Sequence, residues 1–194
     1  MIDLNSFASD FMLDPITRLW LLPFLRLLIK KIEGMENIPT NNNFIIAPNH
    51  KRIIDSFFIW YVIVTKLNKK VSVIARPKYN LEKIFPKEWV GWILVFDKMK
   101  GYAEAVEKLK SGAIICIYPE GSTKIKNKLK TGAIRLAIDS NKPILPVHLN
   151  SSWKPFTATI KIGKPFYADK NTDIKLQTKR LMKKVYALKG SFLK

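Results

Sequence analysis

The sequence predicts an α/β fold, with a single layered domain whose mostly parallel central sheet is flanked by helices, plus an N-terminal amphipathic helical segment. Three observations lead to this prediction. The chain has 194 residues, which is enough for one domain with its own core. Hydrophobic residues make up 47% of the chain, as is typical of globular proteins. Strand-like apolar runs alternate with helical patterns along most of its length, which indicates parallel strands joined by helices.

Residues 14–32 carry the signals of an amphipathic helix. Asp14 can cap a helix, and Pro15 suits its first position. On a helical wheel one edge is basic and the rest is a wide apolar face, the basic edge being formed by Arg18, Arg26 and Lys30. Pro23 is expected to kink this helix or to split it. The pattern favours a helix lying on a membrane surface, and the alternative is a helix packed on its own domain.

The remaining elements alternate in type along the chain. Strands are predicted at residues 44–49, 71–76, 92–96, 113–119, 143–150 and 156–166. Helices are predicted at residues 55–67, 101–112, 131–140 and 171–190. Because no repeat or long linker separates these elements, we place residues 1–32 in an N-terminal helical unit and residues 33–194 in one domain.

The formal charge of +19 favours a polyanionic partner, which could be nucleic acid, an anionic membrane or an acidic carrier protein. No nucleic-acid motif appears, and the basic residues do not interleave with aromatic residues as in a stacking platform. The single Cys116 excludes an intramolecular disulfide framework and indicates a reducing compartment. Its apolar surroundings favour a buried hydrophobic role over a nucleophilic one. We therefore expect anionic lipids and no nucleic acid.

The N-terminus lacks the features of a secretory signal. No apolar run reaches the roughly 18 residues that a membrane-spanning helix needs. Together with the amphipathic segment, these features predict a peripheral protein on the cytoplasmic side of a membrane.

The stretch FIIAPNHKRIIDSFF, residues 44–58, holds one of the two histidines of the chain. His50 and Asp55 are five residues apart, which places them about 140° apart on a helix and on opposite faces of a strand. They can meet only where a strand end turns into a helix start, which is the change of pattern seen here. The carboxyl ends of strands in an open α/β sheet are also where ligands bind.

Such a pair has a plain chemical use. Neutral imidazole can take a proton from a hydroxyl group, while a carboxylate on the other ring nitrogen fixes the tautomer and stabilises the imidazolium ion. The substrate can supply the hydroxyl, so no serine or cysteine nucleophile is needed. The alternative interpretation is a histidine hydrogen-bonded to a loop carbonyl.

Two further stretches follow strand-like runs. YPEGSTK, residues 118–124, forms a glycine turn with hydroxyl and lysine side chains, and KPILPVHLN, residues 142–150, has two prolines in a strand pattern. In this order, the blocks resemble the motifs of the lysophosphatidic acid acyltransferase (PlsC-type) family of glycerolipid acyltransferases. Asn49, His50 and Asp55 match the family's N-H-x-x-x-x-D block. Pro119, Glu120, Gly121 and Ser122 match its P-E-G-T-R-S block. Pro143 and Pro146 match its P-[IV]-x-P-V block. The resemblance covers residues 30–168.

The resemblance implies that residues 33–194 form an acyltransferase domain. His50 would be the general base and Asp55 would orient it, while the acceptor hydroxyl attacks an acyl thioester on coenzyme A or acyl carrier protein. It further implies a site for the acceptor's phosphate, formed by Arg76, Lys98, Glu120, Gly121, Ser122 and Lys124. No metal ion and no cofactor beyond the thioester co-substrate is expected.

Several positions depart from the family pattern. Lys98 stands where an arginine is common, Ser122 replaces threonine, and Arg76 stands in a lysine's place. Lysine carries a point charge but lacks the two-pronged hydrogen bonding of arginine. These departures leave the acceptor open. The leading hypothesis is an O-acyltransferase acting on a lysophospholipid of the 1-acylglycerol-3-phosphate type, in phospholipid biosynthesis. The alternatives are another acceptor, such as glycerol-3-phosphate or an amine-containing lysolipid, and a non-catalytic lipid-binding module.

Overall fold

The computed structural model describes residues 18–40, 43–75, 92–94, 97–121 and 129–192. Within these residues, one sheet contains the strands β1 (Ile29–Glu33), β2 (Ile45–Pro48), β3 (Val71–Ala75), β4 (Trp92–Leu94), β5 (Ile114–Cys116), β6 (Ile144–Asn150) and β7 (Ala158–Ile162). Residues 18–28 are the described part of helix α1. The other α-helices are α2 (Asp55–Leu67), α3 (Lys98–Lys110), α4 (Gly132–Ser140) and α5 (Ile174–Ala187).

The sheet has the strand order β1-β7-β6-β2-β5-β3-β4. Every neighbouring pair is parallel except β6 and β7, which are antiparallel. The prediction of a layered α/β domain with a mostly parallel sheet is therefore confirmed. Because β2, β5 and β6 run in the same direction side by side, their carboxyl ends meet at one edge of the sheet, which we call the carboxyl edge.

Helices cover both faces of the sheet. One face packs on α1 and α2 through buried side chains that include Leu25, Phe58 and Ile59. The other face packs on α3, α4 and α5, through side chains that include Leu109, Ile134 and Leu181. This three-layer arrangement explains why β2 and β5 are continuous apolar runs, since their residues are buried on both faces.

The N-terminal helix is shorter than predicted. Its described part begins at residue 18, continues through Pro23 and ends at residue 28, so the predicted helical end at residue 32 is wrong. Residues 29–33 instead form β1, which pairs in parallel with β7. The last four residues of the predicted N-terminal unit thus belong to the sheet. The predicted cap at Asp14 and Pro15 lies outside the described residues.

α1 lies on the domain with one side buried and the other exposed. Leu25 and Leu28 of α1 are buried against the domain, whereas Trp20, Phe24 and Leu27 are exposed. Among the described helices, none combines the length and the apolar character needed to cross a bilayer.

A close approach of two chain segments fixes the turn after β1. Gly34 has φ of +82°, and a Cβ atom at this position would lie 2.0 Å from the carbonyl oxygen of Ile162. The side-chain amide of Asn37 donates a hydrogen bond of 2.8 Å to the same oxygen. Glycine is required here both for its backbone conformation and for its lack of a side chain. This turn holds β1 against the end of β7.

Candidate active site

Three neighbouring strands bring polar residues together at the carboxyl edge. β2 ends at Pro48 and is followed by Asn49 and His50, while β5 leads to Tyr118 and β6 leads to Ser151. In the sheet, β2 lies between β5 and β6. The residues that follow these strands therefore meet around His50.

Asn49 ties the end of β2 to β6. Its side-chain amide donates a hydrogen bond of 2.9 Å to the Leu149 carbonyl, and its oxygen accepts one of 2.6 Å from the Leu149 amide. The side chain is fully buried, so these two bonds satisfy polar groups that have no access to water. Asn49 thereby fixes the backbone from which His50 extends.

The backbone turns between His50 and Asp55, as the change of pattern predicts. His50 Nδ1 lies 3.0 Å from Asp55 Oδ2. The same carboxylate oxygen accepts hydrogen bonds from the backbone amides of Lys51, at 2.7 Å, and Arg52, at 2.8 Å. Asp55 is also the first residue of α2, where the helix N-terminus favours negative charge. The structure thus brings the two predicted residues into contact.

The environment keeps Asp55 ionised. Burial would raise the pKa of Asp55, but its hydrogen bonds to the His50 side chain and to the backbone amides of Arg52 and Lys51 outweigh that effect and lower the pKa below its ordinary value. An ionised carboxylate can only accept hydrogen bonds, so Nδ1 of His50 carries the proton. In the neutral ring, Nε2 then has a free lone pair. This tautomer suits a general base acting through Nε2.

Ser151 is a further neighbour of Asp55, from the end of β6. Its hydroxyl also lowers the pKa of Asp55. Within the described residues, however, neither Ser151 Oγ nor Asp55 Oδ1 makes a hydrogen bond of regular geometry. We therefore treat Ser151 as a polar neighbour of the carboxylate and not as a bonded partner. No motif in the sequence indicated Ser151.

Tyr118 packs against the ring of His50. The two ring centroids are 4.0 Å apart, with 27° between the ring planes. The Tyr118 hydroxyl lies 2.9 Å from Ser56 Oγ on α2, and burial raises the pKa of Tyr118 well above its ordinary value. His50 is therefore held through Nδ1 and on one ring face, while 17% of its side-chain surface stays accessible.

The turn after β5 is closed by two backbone hydrogen bonds. The Gly121 amide donates to the Tyr118 carbonyl at 3.0 Å, and the Lys130 amide donates to the Pro119 carbonyl at 2.7 Å. Gly121 has φ of +65°, and a Cβ atom here would lie 2.9 Å from Cγ of Lys130. Glycine therefore suits this position because the backbone is left-handed and the Lys130 side chain lies close to it.

Glu120 makes a contact that the sequence did not indicate. Its Oε1 accepts a hydrogen bond of 2.6 Å from the hydroxyl of Tyr186 on α5. Burial and the Glu120 carboxylate raise the pKa of Tyr186 to about 12, so the phenol stays protonated and remains the donor. This bond attaches the turn to the C-terminal helix.

The other residues predicted to bind phosphate remain predictions. Arg76, Ser122 and Lys124 lie outside the described residues. Lys98 begins α3, but its side chain lies outside the described part of the structure. Of the predicted set, Glu120 and Gly121 are thus the members that the structure describes in full.

Two further residues, His148 and Cys116, are buried. Cys116 lies inside β5, where burial raises the pKa of its thiol, and this agrees with a packing role. His148 lies on β6 opposite Lys161. Burial and the charges of Lys51, Lys189 and Lys161 lower its pKa to about 4, so it is neutral at pH 7. In the part of the chain described, no group of three or more His, Cys, Asp or Glu side chains could hold a metal ion.

Tyr118 and Ser151 were not predicted as site residues, although the sequence partly indicates their positions. Tyr118 directly precedes the predicted Pro119–Glu120–Gly121 turn, and pairing of β5 beside β2 would place it near His50. Ser151 follows β6 in the same way. Both contacts depend on the order of strands in the sheet, which the sequence does not specify.

Comparisons with known proteins identify a matching family and a similar fold. The family model described as Acyltransferase matches residues 30–150, more than half of the chain. The structure is similar to the crystal structure of the 1-acyl-sn-glycerophosphate (LPA) acyltransferase PlsC from Thermotoga maritima, with a TM-score of 0.67 and 24% sequence identity. That alignment covers 100% of this chain and 85% of the PlsC chain. No curated protein matches the sequence.

Proposed function

The chain belongs to the acyltransferase family, and we propose that it transfers a fatty acyl group from a thioester to the hydroxyl of a lysophospholipid of the 1-acylglycerol-3-phosphate type. Family membership makes it an enzyme and sets aside a non-catalytic lipid-binding module. One observation supports the proposed chemistry most directly, namely the contact of His50 Nδ1 with the ionised Asp55 carboxylate at 3.0 Å.

In the proposed first step, Nε2 of His50 takes the proton of the acceptor hydroxyl. The oxygen then attacks the carbonyl carbon of the acyl thioester, and the carbonyl electrons move to its oxygen. As the imidazolium ion forms, the Asp55 carboxylate stabilises its positive charge through Nδ1. The stacking of Tyr118 keeps the ring in one orientation during this transfer.

In the second step, the tetrahedral intermediate collapses and the carbon–sulfur bond breaks. The thiolate leaves on coenzyme A or acyl carrier protein and receives the proton from Nε2, which returns His50 to its neutral form. The products are the ester and a free thiol, and no oxidant or metal ion enters the balance. A positioned base of this kind contributes about 10²–10⁴-fold to the rate.

The phosphate of the acceptor would bind beside the turn after β5. Gly121 would let the backbone approach the phosphate, and Arg76, Lys98, Ser122 and Lys124 would supply charge and a hydroxyl. The Glu120 carboxylate, bonded to Tyr186, would hold the shape of the turn. The exposed Lys51 and Arg52 lie beside His50 and add positive charge.

We further propose that the enzyme acts on the cytoplasmic surface of a membrane and contributes to phospholipid biosynthesis. The formal charge of +19 supports binding to anionic lipids. The exposed apolar residues of α1 support interfacial attachment, since its buried leucines anchor it to the domain.

An acceptor panel tests the proposal. Purified protein would be supplied with acyl-coenzyme A or acyl carrier protein thioester, in parallel with lysophosphatidic acid, glycerol-3-phosphate and lysophosphatidylethanolamine. Mass spectrometry of the lipids, together with titration of the released thiol, identifies each product. We expect lysophosphatidic acid to give the highest kcat/KM.

Two other outcomes of the acceptor panel would change the proposal. A preference for glycerol-3-phosphate or for the amine-containing lysolipid would replace the proposed acceptor and keep the reaction class. Thiol release without any acylated acceptor would show hydrolysis of the thioester and contradict the proposed transfer.

A further inference from the structure

The β6–β7 loop, residues 151–157, exposes two large aromatic side chains. Trp153 is 55% exposed and Phe156 is 60% exposed, and Lys154 and Pro155 between them are also exposed. Side chains of this kind bury large apolar areas when they find a partner, so their exposure is costly in water alone. The loop therefore carries an unpartnered apolar surface next to a positive charge.

The backbone of the loop is held in an unusual conformation that displays Phe156. Its φ is +55°, a left-handed value that is rare for bulky residues and costs about 1–2 kcal/mol. The Phe156 amide donates to the Leu27 carbonyl at 2.9 Å, and the Thr157 amide donates to the Leu28 carbonyl at 3.1 Å. The loop is thus attached to the end of α1 through its backbone, which leaves the Phe156 ring outside.

Sheet topology places this loop beside the candidate active site. β6 is parallel to β2, so the loop that leaves β6 starts at the carboxyl edge, as His50 does. β7 is antiparallel to β6, so β7 begins at the carboxyl edge. β1 is parallel to β7, so β1 begins at the same edge, directly after the end of α1. The loop and the end of α1 therefore lie side by side at the edge that holds His50.

The loop and α1 expose the same kinds of side chain. α1 exposes Trp20, Phe24 and Leu27. An exposed basic residue accompanies the apolar ones in each segment, Arg26 on α1 and Lys154 on the loop. At the same edge, Ile53 is also exposed, between His50 and Asp55. Aromatic and aliphatic side chains interspersed with lysine and arginine are typical of surfaces that insert into the headgroup region of anionic bilayers.

We propose that Trp153 and Phe156 of the β6–β7 loop form, together with α1, a surface that inserts into an anionic lipid bilayer and sets His50 at the membrane interface. The charge of the chain, +19, favours a bilayer with anionic headgroups over an uncharged partner. The inference rests on the proposed function and deepens it, since it names the surface through which a lipid acceptor would reach His50.

Vesicle binding tests this surface without any catalytic step. The full-length protein would be sedimented with vesicles of phosphatidylcholine containing a minority of phosphatidylglycerol, in the absence of donor and acceptor. The double variant Trp153→Ser/Phe156→Ser is expected to lower the partition coefficient by about tenfold or more, because the apolar contacts of the loop are lost. Since α1 is unchanged in this variant, any loss belongs to the loop.

Tyr167→Ser provides a matched control. Tyr167 is 61% exposed, but it follows Phe166, which bridges to Ile144 at the opposite end of β6. The control is therefore expected to bind vesicles as the wild type does. A double variant that binds like the wild type would overturn the proposal, and so would an equal loss in Tyr167→Ser, which would indicate non-specific adsorption.

Phe156→Gly separates the proposed role from a folding defect. Glycine adopts φ of +55° without strain, so this variant removes the ring while the loop keeps its conformation. We expect an unchanged or higher Tm and weaker vesicle binding. A variant that is stable and binds vesicles as tightly as the wild type would remove Phe156 from the surface.

A comparison of acceptors distinguishes this inference from the proposed reaction. With a short-chain acceptor dissolved as monomers, the double variant is expected to keep the wild-type kcat/KM, while acceptor presented in vesicles is turned over more slowly. If the protein acylates no lysophospholipid but still loses vesicle binding in the double variant, the proposed substrate fails and the membrane surface stands.

Discussion

The ring of Tyr118 lies against the ring of His50, with the centroids 4.0 Å apart and 27° between the planes. The two residues are 68 positions apart in the sequence and meet because β5 is the neighbour of β2 in the sheet. Asp55 restrains the same imidazole through Nδ1. The orientation of His50 therefore depends on two contacts, which two sets of variants can separate.

Replacement of Tyr118 tests the contact with the ring face. Tyr118→Phe keeps the stacked ring and loses the bond to Ser56, so we expect kcat/KM to change little. Tyr118→Leu removes an aromatic pair worth about 0.5–1.5 kcal/mol, and kcat/KM should fall by about 2- to 13-fold. Steady-state kinetics of both variants check this. Equal activity of Tyr118→Leu and the wild type would show that the stacking does not position His50.

Replacement of Asp55 tests the contact with Nδ1. Asp55→Asn keeps an oxygen that can accept from the Lys51 and Arg52 amides, so the loop should fold. It loses the negative charge that stabilises the imidazolium ion, and we expect kcat to fall by about 10²–10⁴-fold. Steady-state kinetics, together with circular dichroism to confirm folding, measure this loss.

Asp97→Asn is the matched control for Asp55→Asn. Asp97 also stands at a helix start, where its carboxylate caps α3 by accepting from the Met99 amide at 2.7 Å. Its replacement should lower stability slightly and leave kcat unchanged. If both variants lost activity to the same degree, the effect of Asp55→Asn would reflect helix capping and not catalysis.

The sequence predicted the parts of this site that are local in the chain. The turn from His50 to Asp55 spans six residues, so the switch from strand to helix pattern was enough to bring the pair together. Tyr118 and Ser151 reach the site only through the strand order β6-β2-β5, which local patterns do not encode. Tyr186, the partner of Glu120, comes from α5 for the same reason.

The same distinction applies to the fold. The helical pattern of residues 14–32 was extended four residues too far, because Lys30 continues the basic edge of the amphipathic pattern. What makes residues 29–33 a strand is their pairing with β7, more than 120 residues later. The bounds of β2 and β6 were predicted to within one residue at each end, since their burial on both faces leaves a strong apolar signal.

His148 is expected to make stability depend on pH. Its pKa of about 4 lies below the ordinary value of 6.5, because of burial and the charges of Lys51, Lys189 and Lys161. Between these two values the unfolded chain binds a proton that the folded one does not. The free energy of unfolding should therefore fall as pH decreases from 6.5 to 4, by up to about 1.4 kcal/mol per pH unit from this residue.

The variant His148→Gln isolates that contribution. Urea unfolding at a series of pH values between neutrality and mild acid gives the slope for each protein. We expect a shallower slope for His148→Gln than for the wild type. Identical slopes would show that His148 takes up its proton with equal ease in both states.

Gly34 offers a test of the close packing between β1 and β7. Gly34 and Gly112 both have positive φ, at +82° and +103°. A Cβ atom at Gly34 would clash with the Ile162 carbonyl, whereas a Cβ atom at Gly112 would have no neighbour within 4 Å. Gly34→Ala should therefore reduce the free energy of unfolding by about 2 kcal/mol more than Gly112→Ala. Chemical denaturation measures both, and equal losses would contradict the reported contact.

The measurement that addresses the central claim most directly is the rate of acyl transfer by His50→Ala. Released thiol and acylated lysophosphatidic acid would be quantified under saturating substrate, with folding confirmed by circular dichroism. If His50 is the base, kcat falls by about 10²–10⁴-fold while the protein remains folded. A folded His50→Ala protein that forms the acylated product at the wild-type rate would contradict the account.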